Sequence, residues 1–210
     1  MKVLAIESSC DDTSFSVVSD DKSIDFIKTI NHRKFHKKHG GVIPEMAARQ
    51  HLDIMDYLQK SIKKFDFKKI DAIAATYGPG LIGGLIVGSS FAKGLSISRQ
   101  KKLIPVNHLQ AHLLSPRLTS NLSFPYLCLL VSGGNTALVI VKSPKKFVTL
   151  GSTIDDSAGE CFDKVSKALG LGYPGGPIIE KLALKGDRYK YKLPLPLTKV
   201  KNCNFSFSGL

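Results

Sequence analysis

The sequence is short of paired cysteines, of long apolar runs and of acidic residues, and each shortage excludes a class of protein. Its four cysteines lie far apart with no C-x-x-C spacing, which excludes a disulfide-rich scaffold and fits free thiols in a reducing compartment. The apolar run at residues 3–6 is too short for a signal peptide. The most apolar segment, residues 81–98, contains four glycines and Lys93, which favours a buried helix over a membrane span. We therefore expect a cytoplasmic protein.

Acidic residues number 17 against 30 lysines and arginines, so the net charge is +13. This excess favours a polyanionic partner, first a nucleic acid and second an anionic membrane surface, although solvated lysine-rich faces have the same composition. Two segments, residues 32–38 and 188–192, mix cations with aromatic side chains. Such a segment can hold an RNA backbone and stack a base, but it is also typical of a solvated loop.

Strand and helix patterns occur in two successive sets along the 210 residues. The first set predicts a hairpin, a third strand, a helix, a strand, a glycine-rich helix and a last strand: residues 3–6, 14–18, 24–30, 44–65, 70–76, 81–98 and 103–106. The second set predicts a strand–turn–strand unit, two helices and an alternating strand: residues 126–131, 137–141, 158–169, 177–184 and 205–208. This restart predicts two similar α/β lobes, residues 1–120 and 121–210. The second lobe is expected to be incomplete, because a mirror of the first needs more residues than remain.

The most informative candidate site is a pair of histidines, His108 and His112, that follows a predicted strand. On a helix, a spacing of four puts both imidazoles on one face, and imidazole is the commonest metal ligand in proteins. Leu109 occupies the position where a metallopeptidase helix carries its glutamate base, so that activity is disfavoured. His32 and His36 have the same spacing but lie among cations, and we predict that this second pair is solvated rather than metal-binding.

Two small polar turns occupy equivalent places in the two sets. The first contains Asp11 and Asp12, and the second is residues 132–134, Ser-Gly-Gly. Backbone N–H groups and hydroxyls of such turns can hold a phosphate, and a carboxylate can orient a nucleophile, although ordinary polar turns have this composition too. The Gly-Pro-Gly segment at residues 78–80 ends a strand, where α/β sheets bind ligands. Close packing of the following helix on the sheet, which Gly83, Gly84 and Gly88 would serve, is an equally good interpretation of this glycine-rich stretch. The segment is not a Walker loop because no Lys-Ser or Lys-Thr follows.

Eight ordered motifs together resemble the tRNA N6-adenosine threonylcarbamoyltransferase (TsaD) family, once described as glycoproteases. These motifs span the sequence from end to end: residues 6–13, 40–45, 78–81, 108–112, 130–134, 155–164, 173–176 and 205–210. The resemblance implies an actin-like α/β fold with two duplicated, RNase H-like lobes. It also implies transfer of a threonylcarbamoyl group from threonylcarbamoyl-AMP to N6 of the adenosine beside the tRNA anticodon.

By motif match, the resemblance implies that His108 and His112 bind one divalent metal, Fe(2+), and that Asp11 is a catalytic or orienting carboxylate. The residues implied to line the substrate adenylate are Leu130, Val131, Ser132, Gly133, Gly134, Asp163 and Gly176. The implied partners are tRNA, a TsaB-like paralogue and a TsaE-like ATPase, with no membrane.

The sequence departs from the family pattern at two positions and at its end. Asn135 replaces a histidine in the Ser-Gly-Gly turn, and Asp12 replaces a longer glutamate. The family continues beyond this chain with an aspartate metal ligand and an asparagine-containing nucleotide loop. Two alternatives therefore stay open: a non-catalytic scaffold subunit of the same assembly, or an actin-like small-molecule kinase.

Overall fold

The computed structural model describes residues 1–32, 36, 41–62 and 66–210. The chain forms two compact units, Met1–Ala111 and His112–Leu210. Most of the basic segment at residues 32–38, including Phe35, lies outside the described residues. The end of the first predicted helix, residues 63–65, lies outside them as well.

The first unit is built on a five-stranded mixed sheet. Its strands are β1 (Lys2–Glu7), β2 (Asp12–Ser19), β3 (Ile24–Asn31), β4 (Ala72–Gly78) and β5 (Lys102–Asn107). The strand order is β3-β2-β1-β4-β5; β1 to β3 form an antiparallel meander, and β4 and β5 run parallel to β1. The five strands predicted for this part of the sequence are confirmed. Because β1, β4 and β5 are parallel, the segments that follow them lie at one edge of the sheet.

The apolar core of the first unit lies between this sheet and two helices, α1 (Pro44–Ile62) and α2 (Ile82–Arg99). β2 alternates buried and half-buried residues, as expected of a strand with one side facing the core. The first five residues of β4 are all buried, which is typical of a central parallel strand. The fully buried apolar side chains include Leu4, Phe15, Val17, Leu58, Ile62, Ile70 and Ile73.

Glycines let α2 approach the end of β1 closely. A Cβ at Gly88 would lie 2.0 Å from Ser8 Oγ, and a Cβ at Gly84 would lie 2.3 Å from Ser8 O. These two glycines therefore serve close packing, one of the two interpretations of the glycine-rich segment. The prediction of a buried helix is wrong in part, because Ile82 and Ile86 are exposed on the opposite face. Among the described residues, no helix is long and apolar enough to cross a membrane.

Helix α3 (His108–Leu114) starts directly after β5, and the division between the two units falls inside it. A single short turn of helix, α4 (Pro116–Thr119), follows in the second unit. The helix predicted by the four-residue histidine spacing is therefore present.

The second unit contains a three-stranded antiparallel sheet and two helices. The strands are β6 (Tyr126–Val131), β7 (Thr136–Ser143) and β8 (Lys146–Ser152), in the order β6-β7-β8. The helices are α5 (Ala158–Ala168) and α6 (Gly175–Ala183), and α6 begins two residues before its predicted start. The β6–β7 hairpin repeats the β1–β2 hairpin, as predicted. On β6, Leu127, Leu129 and Val131 are exposed at alternating positions.

The strand predicted at residues 205–208 is wrong. Only one bridge forms there, between Phe205 and Thr153. The Asp155 carboxylate accepts hydrogen bonds from the backbone N–H groups of Phe207 (2.8 Å) and Ser208 (3.3 Å). A strand would need those N–H groups for its own ladder, so the carboxylate wraps the segment into a turn instead.

Candidate functional site

The turn between β1 and β2 is held tightly against the loop that follows β4. Ser9 O accepts a hydrogen bond of 2.7 Å from the backbone N–H of Leu81. A Cβ at Gly80, where φ is +157°, would lie 2.6 Å from the same Ser9 oxygen. Because only glycine leaves room for this approach, the Gly-Pro-Gly loop fixes one side of the turn. Asp11, the predicted catalytic carboxylate, lies on this turn and is half-buried.

His108 contacts the same turn from the start of α3. Its Nδ1 lies 3.1 Å from Ser9 Oγ and 3.3 Å from Glu7 Oε2. Glu7 also accepts a 2.6 Å hydrogen bond from the Ser9 N–H and a short one from the Thr76 hydroxyl. The structure therefore brings the predicted metal ligand His108 to the turn that carries Asp11. Nε2 of His108 is the ring nitrogen that a metal would use.

Glu7 is a site residue that the sequence reasoning missed. Burial alone would raise the pKa of its carboxyl, but hydrogen bonds from His108, Ser9 and Thr76 outweigh burial and lower that pKa to about 2. Glu7 is therefore a carboxylate at neutral pH, and its Oε2 lies 3.3 Å from Nδ1 of His108. Carboxylates in this position orient ligating histidines in metal sites. The sequence contained one indication of this role: Glu7 is an acidic residue at the end of an apolar strand, directly before the polar turn.

Two imidazoles one helical turn apart are side chains of the type that divalent metals bind in proteins. His108 is half-buried, and His112 is exposed one helical turn further along α3. Among the described residues, no group of three or more histidine, cysteine, aspartate or glutamate side chains could hold a metal ion. A metal bound by these two imidazoles would complete its coordination with other ligands.

A shallow cavity of about 330 Å³ lies beside His108, at the carboxyl ends of β4 and β5. This is the sheet edge at which open α/β folds bind ligands. The cavity is lined by Tyr77, Gly78, Pro105, Val106, Asn107 and Gln110.

The prediction that His32 and His36 are solvated is wrong. Both side chains are buried, and so is His51 of α1. The ring centroids of His32 and His51 are 4.7 Å apart, and those of His32 and His36 are 6.3 Å apart. The sequence reasoning weighed only the neighbouring cations, whereas Thr13 Oγ1 provides a buried hydrogen-bond partner for both His32 (2.9 Å) and His51 (2.7 Å).

In the second unit, the Ser-Gly-Gly turn packs on the N-terminus of α5. Ser157 Oγ caps α5 by accepting from the Glu160 N–H (3.2 Å), and the same hydroxyl donates to Gly133 O (2.6 Å). A Cβ at Gly159 would lie 2.7 Å from Gly133 Cα. The turn therefore sits at the positive end of a helix dipole, which favours anions. Gly133 and Gly134 are exposed there.

Asp163 contacts the residue before Gly176 at the junction of α5 and α6. Asp163 Oδ1 accepts a 2.6 Å hydrogen bond from the Gly175 N–H, at the start of α6. Gly159 and Asp163 are four residues apart, so the two junctions lie on one face of α5. The second unit therefore brings the predicted adenylate residues Ser132 and Gly133 to the same face of α5 as Asp163. Gly176 directly follows the residue that Asp163 binds.

The two other predicted adenylate residues, Leu130 and Val131, lie at the end of strand β6. Leu130 is buried and Val131 is exposed. Asn135, which replaces the family histidine, closes the turn through its backbone: its carbonyl accepts from the Ser132 N–H (2.8 Å), and its N–H donates to Ser132 Oγ (3.1 Å). The turn closes without help from the side chain at position 135.

Comparison with known proteins gives a family and a fold. A family model described as tRNA N6-adenosine threonylcarbamoyltransferase (TsaD) matches residues 26–210. Curated proteins of that name from Orientia tsutsugamushi (strain Boryong) and Thermotoga neapolitana are 52% and 50% identical to this chain over 100% of its length. The chain covers 62% and 65% of those two relatives, less than two thirds of their length.

Among solved structures, a ROK family protein from Streptococcus pneumoniae in complex with sucrose aligns with 89% of this chain and 68% of its own, with a TM-score of 0.55 and 16% identity. A likeness at this identity concerns the fold alone. It confirms the actin-like α/β fold class predicted from the sequence. The family match covers most of the chain, including every predicted site residue except Asp11. By this match, the chain belongs to the TsaD family of tRNA N6-adenosine threonylcarbamoyltransferases.

Proposed function

We propose that this chain carries out, or forms the larger part of a protein that carries out, the transfer of a threonylcarbamoyl group from threonylcarbamoyl-AMP to N6 of the adenosine beside a tRNA anticodon. The observation that carries this proposal is the family match over residues 26–210. The relatives bear the corresponding name, and the contacts of Glu7 and Ser9 with His108 support a built site.

In the second unit, the exposed Ser-Gly-Gly turn holds the adenylate. The N-terminus of α5 favours the phosphate there, and Ser157 keeps the turn in place through its hydrogen bond to Gly133. Asp163 fixes the start of α6 through the Gly175 N–H, so that Gly176 is presented next to it. This arrangement orients the acyl donor for attack.

In the reaction, N6 attacks the carbamoyl carbon, the new C–N bond forms, and the C–O bond to AMP breaks. AMP departs with the electron pair, and N6 loses one proton. Asp11 is the residue proposed to orient the amine or to accept that proton. The adenine reaches the site by leaving the stack of the anticodon loop.

His108 and His112 are proposed to hold one divalent metal, Fe(2+), with the remaining ligands supplied from outside the described pair. When bound, such a metal supplies Lewis-acid polarisation of the carbonyl or neutralisation of phosphate charge. Glu7 and Ser9 hold the Nδ1 side of the His108 ring, so Nε2 is the nitrogen that would bind a metal.

The proposed partners are tRNA, a TsaB-like paralogue and a TsaE-like ATPase, in the cytoplasm. The exposed segment at residues 188–192 supports an RNA partner. Tyr189 and Tyr191 are 81% and 74% exposed, and the side-chain charges of Arg188 and Lys190 lie 5.0 and 5.6 Å from their ring centroids. Cations beside exposed aromatic rings are the elements of single-stranded RNA binding.

The test is an assay for threonylcarbamoyl-adenosine in tRNA, with purified partner proteins and threonylcarbamoyl-AMP. Two forms are compared: this 210-residue chain and a form extended at its C-terminus with the sequence of a curated relative. Product from either form, lost in Asp11→Asn and retained in the surface control Asp56→Asn, supports the proposal. Product from neither form contradicts it.

Metal content gives a second readout that does not depend on turnover. The His108→Ala, His112→Ala double variant is expected to lose its bound metal, measured by elemental analysis after dialysis. Unchanged metal content would refute the ligand assignment.

A non-catalytic scaffold is the second candidate, because the described residues contain no group of three or more side chains that could hold a metal ion. A scaffold predicts that the chain binds the partner proteins and tRNA while the assay gives no product with either form. An actin-like kinase predicts ATP turnover that does not depend on tRNA.

A further inference from the structure

Three buried polar side chains form a continuous hydrogen-bonded chain behind the acidic turn of the first unit. Thr13 Oγ1, at the start of β2, lies 2.9 Å from Nε2 of His32 and 2.7 Å from Nδ1 of His51. Nε2 of His51 lies 3.1 Å from the Cys10 carbonyl oxygen. All three side chains are at most 1% exposed, so they are shielded from bulk solvent.

The chemistry of these atoms fixes the direction of each hydrogen bond. A carbonyl oxygen only accepts, so His51 Nε2 carries a proton and donates to Cys10 O. In a neutral ring Nδ1 then has no proton, so the Thr13 hydroxyl donates to it. That hydroxyl has one proton, and its oxygen must therefore accept from His32, whose Nε2 is protonated.

The surroundings of the remaining ring nitrogen, Nδ1 of His32, are consistent with these proton positions. Among the described residues, His32 Nδ1 is buried with no hydrogen-bond partner. Buried N–H groups without a partner are rarer than unfilled acceptors, so Nδ1 of His32 is expected to be the bare nitrogen. Burial lowers the pKa of both His32 and His51, which keeps both rings neutral at pH 7. The charged groups that oppose this effect at His51 are Glu7 and Asp11.

The chain of hydrogen bonds ends on the backbone that flanks Asp11. His51 binds the carbonyl of Cys10, and the backbone N–H of His32 donates to the carbonyl of Asp11 itself (3.0 Å). The His51 ring also packs closely against α2, because a Cβ at Gly84 would lie 2.9 Å from its Cδ2. The peptide units on either side of the Asp11 Cα are therefore both held by members of the chain.

We propose that His32, Thr13 and His51 form a neutral, directional hydrogen-bond relay that positions the turn carrying Asp11. They are positioning residues, since none of them is the proposed contact of substrate or metal. The catalytic role of the relay rests on the proposed function. The hydrogen bonds and proton positions of the relay do not depend on that function.

The first experiment reads the proton positions directly. Long-range ¹H–¹⁵N NMR spectra of the 210-residue chain at pH 7 assign the six histidines by comparison with single His→Gln variants. We expect His32 and His51 to be neutral Nε2–H tautomers, each with a bare Nδ1. A charged imidazolium at either position, or an Nδ1–H tautomer, would overturn the proposal.

The second experiment removes the central hydroxyl. In Thr13→Val, the tautomer signal of His51 and the amide signals of residues 10–12 should shift, whereas Thr13→Ser should restore both. Thr29→Val is the matched control, because Thr29 also pairs with a hydroxyl, at 2.6 Å from Ser14, but on the exposed face of β3. Equal spectra for Thr13→Val and the wild type contradict the relay. If Thr13→Val does not fold, the tautomers of the wild type and the spectrum of Thr13→Ser still test whether the relay exists.

The third experiment separates the relay from the proposed function. In the modification assay, Thr13→Val should lower kcat by about tenfold to a hundredfold, as expected for a misplaced catalytic group, with little change in KM for tRNA. Thr13→Ser and Thr29→Val should match the parent. An equal kcat for Thr13→Val contradicts a positioning role. If no form modifies tRNA, the proposed function fails while the NMR result still decides the relay.

Discussion

At the scale of single residues, the site depends on side chains that are not themselves proposed to contact the substrate or the metal. Glu7 contacts Nδ1 of His108. The Thr13 hydroxyl contacts the imidazoles of His32 and His51, close to the turn that carries Asp11. Each is buried or half-buried beside a residue that motif reasoning did select. Motifs identify groups that meet a ligand, whereas the supporting groups are recognised only once distances are known.

Replacing Glu7 tests this support. Glu7→Gln removes the charge that faces His108 Nδ1 while keeping nearly the same shape. Because the loss of such a partner typically weakens metal binding by about 10- to 100-fold, we expect a comparable rise in the metal Kd, measured by titration of the apo chain with Fe(2+) or Zn(2+). Glu45→Gln is the control, since Glu45 is exposed and pairs with Arg49 on the surface of α1. Equal affinities for the Glu7 variant and the wild type would show that Glu7 has no orienting role.

The stability of the fold should depend on pH through His32. Burial, together with the charges of His51 and His36, lowers the pKa of His32 to about 4 from an ordinary 6.5. The unfolded chain therefore binds a proton as the pH falls through 6.5, while the folded protein stays neutral until about pH 4. The free energy of unfolding should decrease across this window by about 3 kcal/mol from this group.

Urea unfolding at several pH values measures this decrease. His32→Gln is the comparison, because its amide can still donate to Thr13 but does not titrate. The variant should have a flatter pH dependence between pH 6.5 and 4 than the wild type. Parallel curves would mean that His32 does not carry the effect.

At the scale of elements, the strands and long helices followed from the sequence because their periodicities are strong. β1 to β7, α1, α2 and α5 lie where apolar spacing predicted them. The wrong strand at residues 205–208 has the same alternation, but Asp155 takes the N–H groups that a partner strand would need. The pattern of neighbouring residues contains no information on a competing hydrogen-bond acceptor that lies 52 residues away in the chain.

Helix α2 offers a matched pair of glycines. A Cβ at Gly88 would collide with Ser8 Oγ at 2.0 Å, whereas a Cβ at Gly94 would meet nothing within 4 Å. Gly88→Ala should therefore destabilise the fold by about 1–3 kcal/mol, as overpacking does. Gly94→Ala should stabilise it by about 0.5–1 kcal/mol, because alanine is the better helix former. Thermal unfolding of the two variants measures the difference, and equal shifts of Tm would contradict the packing described for α2.

At the scale of the whole molecule, the net charge of +13 indicates a partner only when the exposed basic segments are known. Most of one predicted RNA-binding segment lies outside the described residues. The other, residues 188–192, is exposed and combines cations with aromatic rings. The sequence predicted the character of this segment, but exposure was visible only in the structure.

Removing three charges from this segment tests its role. The Arg188→Ala, Lys190→Ala, Lys192→Ala variant should bind tRNA more weakly, and the slope of log K against log salt should fall by about one for each lost phosphate contact. The control removes three exposed charges from β7, β8 and the turn between them: Lys142, Lys145 and Lys146. Filter binding at several salt concentrations measures both. Equal losses in the two triple variants would indicate a non-specific charge effect.

Strand β6 has a consequence for handling the protein. Within the described part of the chain it lies at the edge of its sheet, and Leu127, Leu129 and Val131 are exposed along it. Unpaired strand edges with apolar side chains template association with other chains. Solutions of this polypeptide should therefore become turbid more readily as concentration and salt increase, since salt screens the repulsion between molecules of high positive charge.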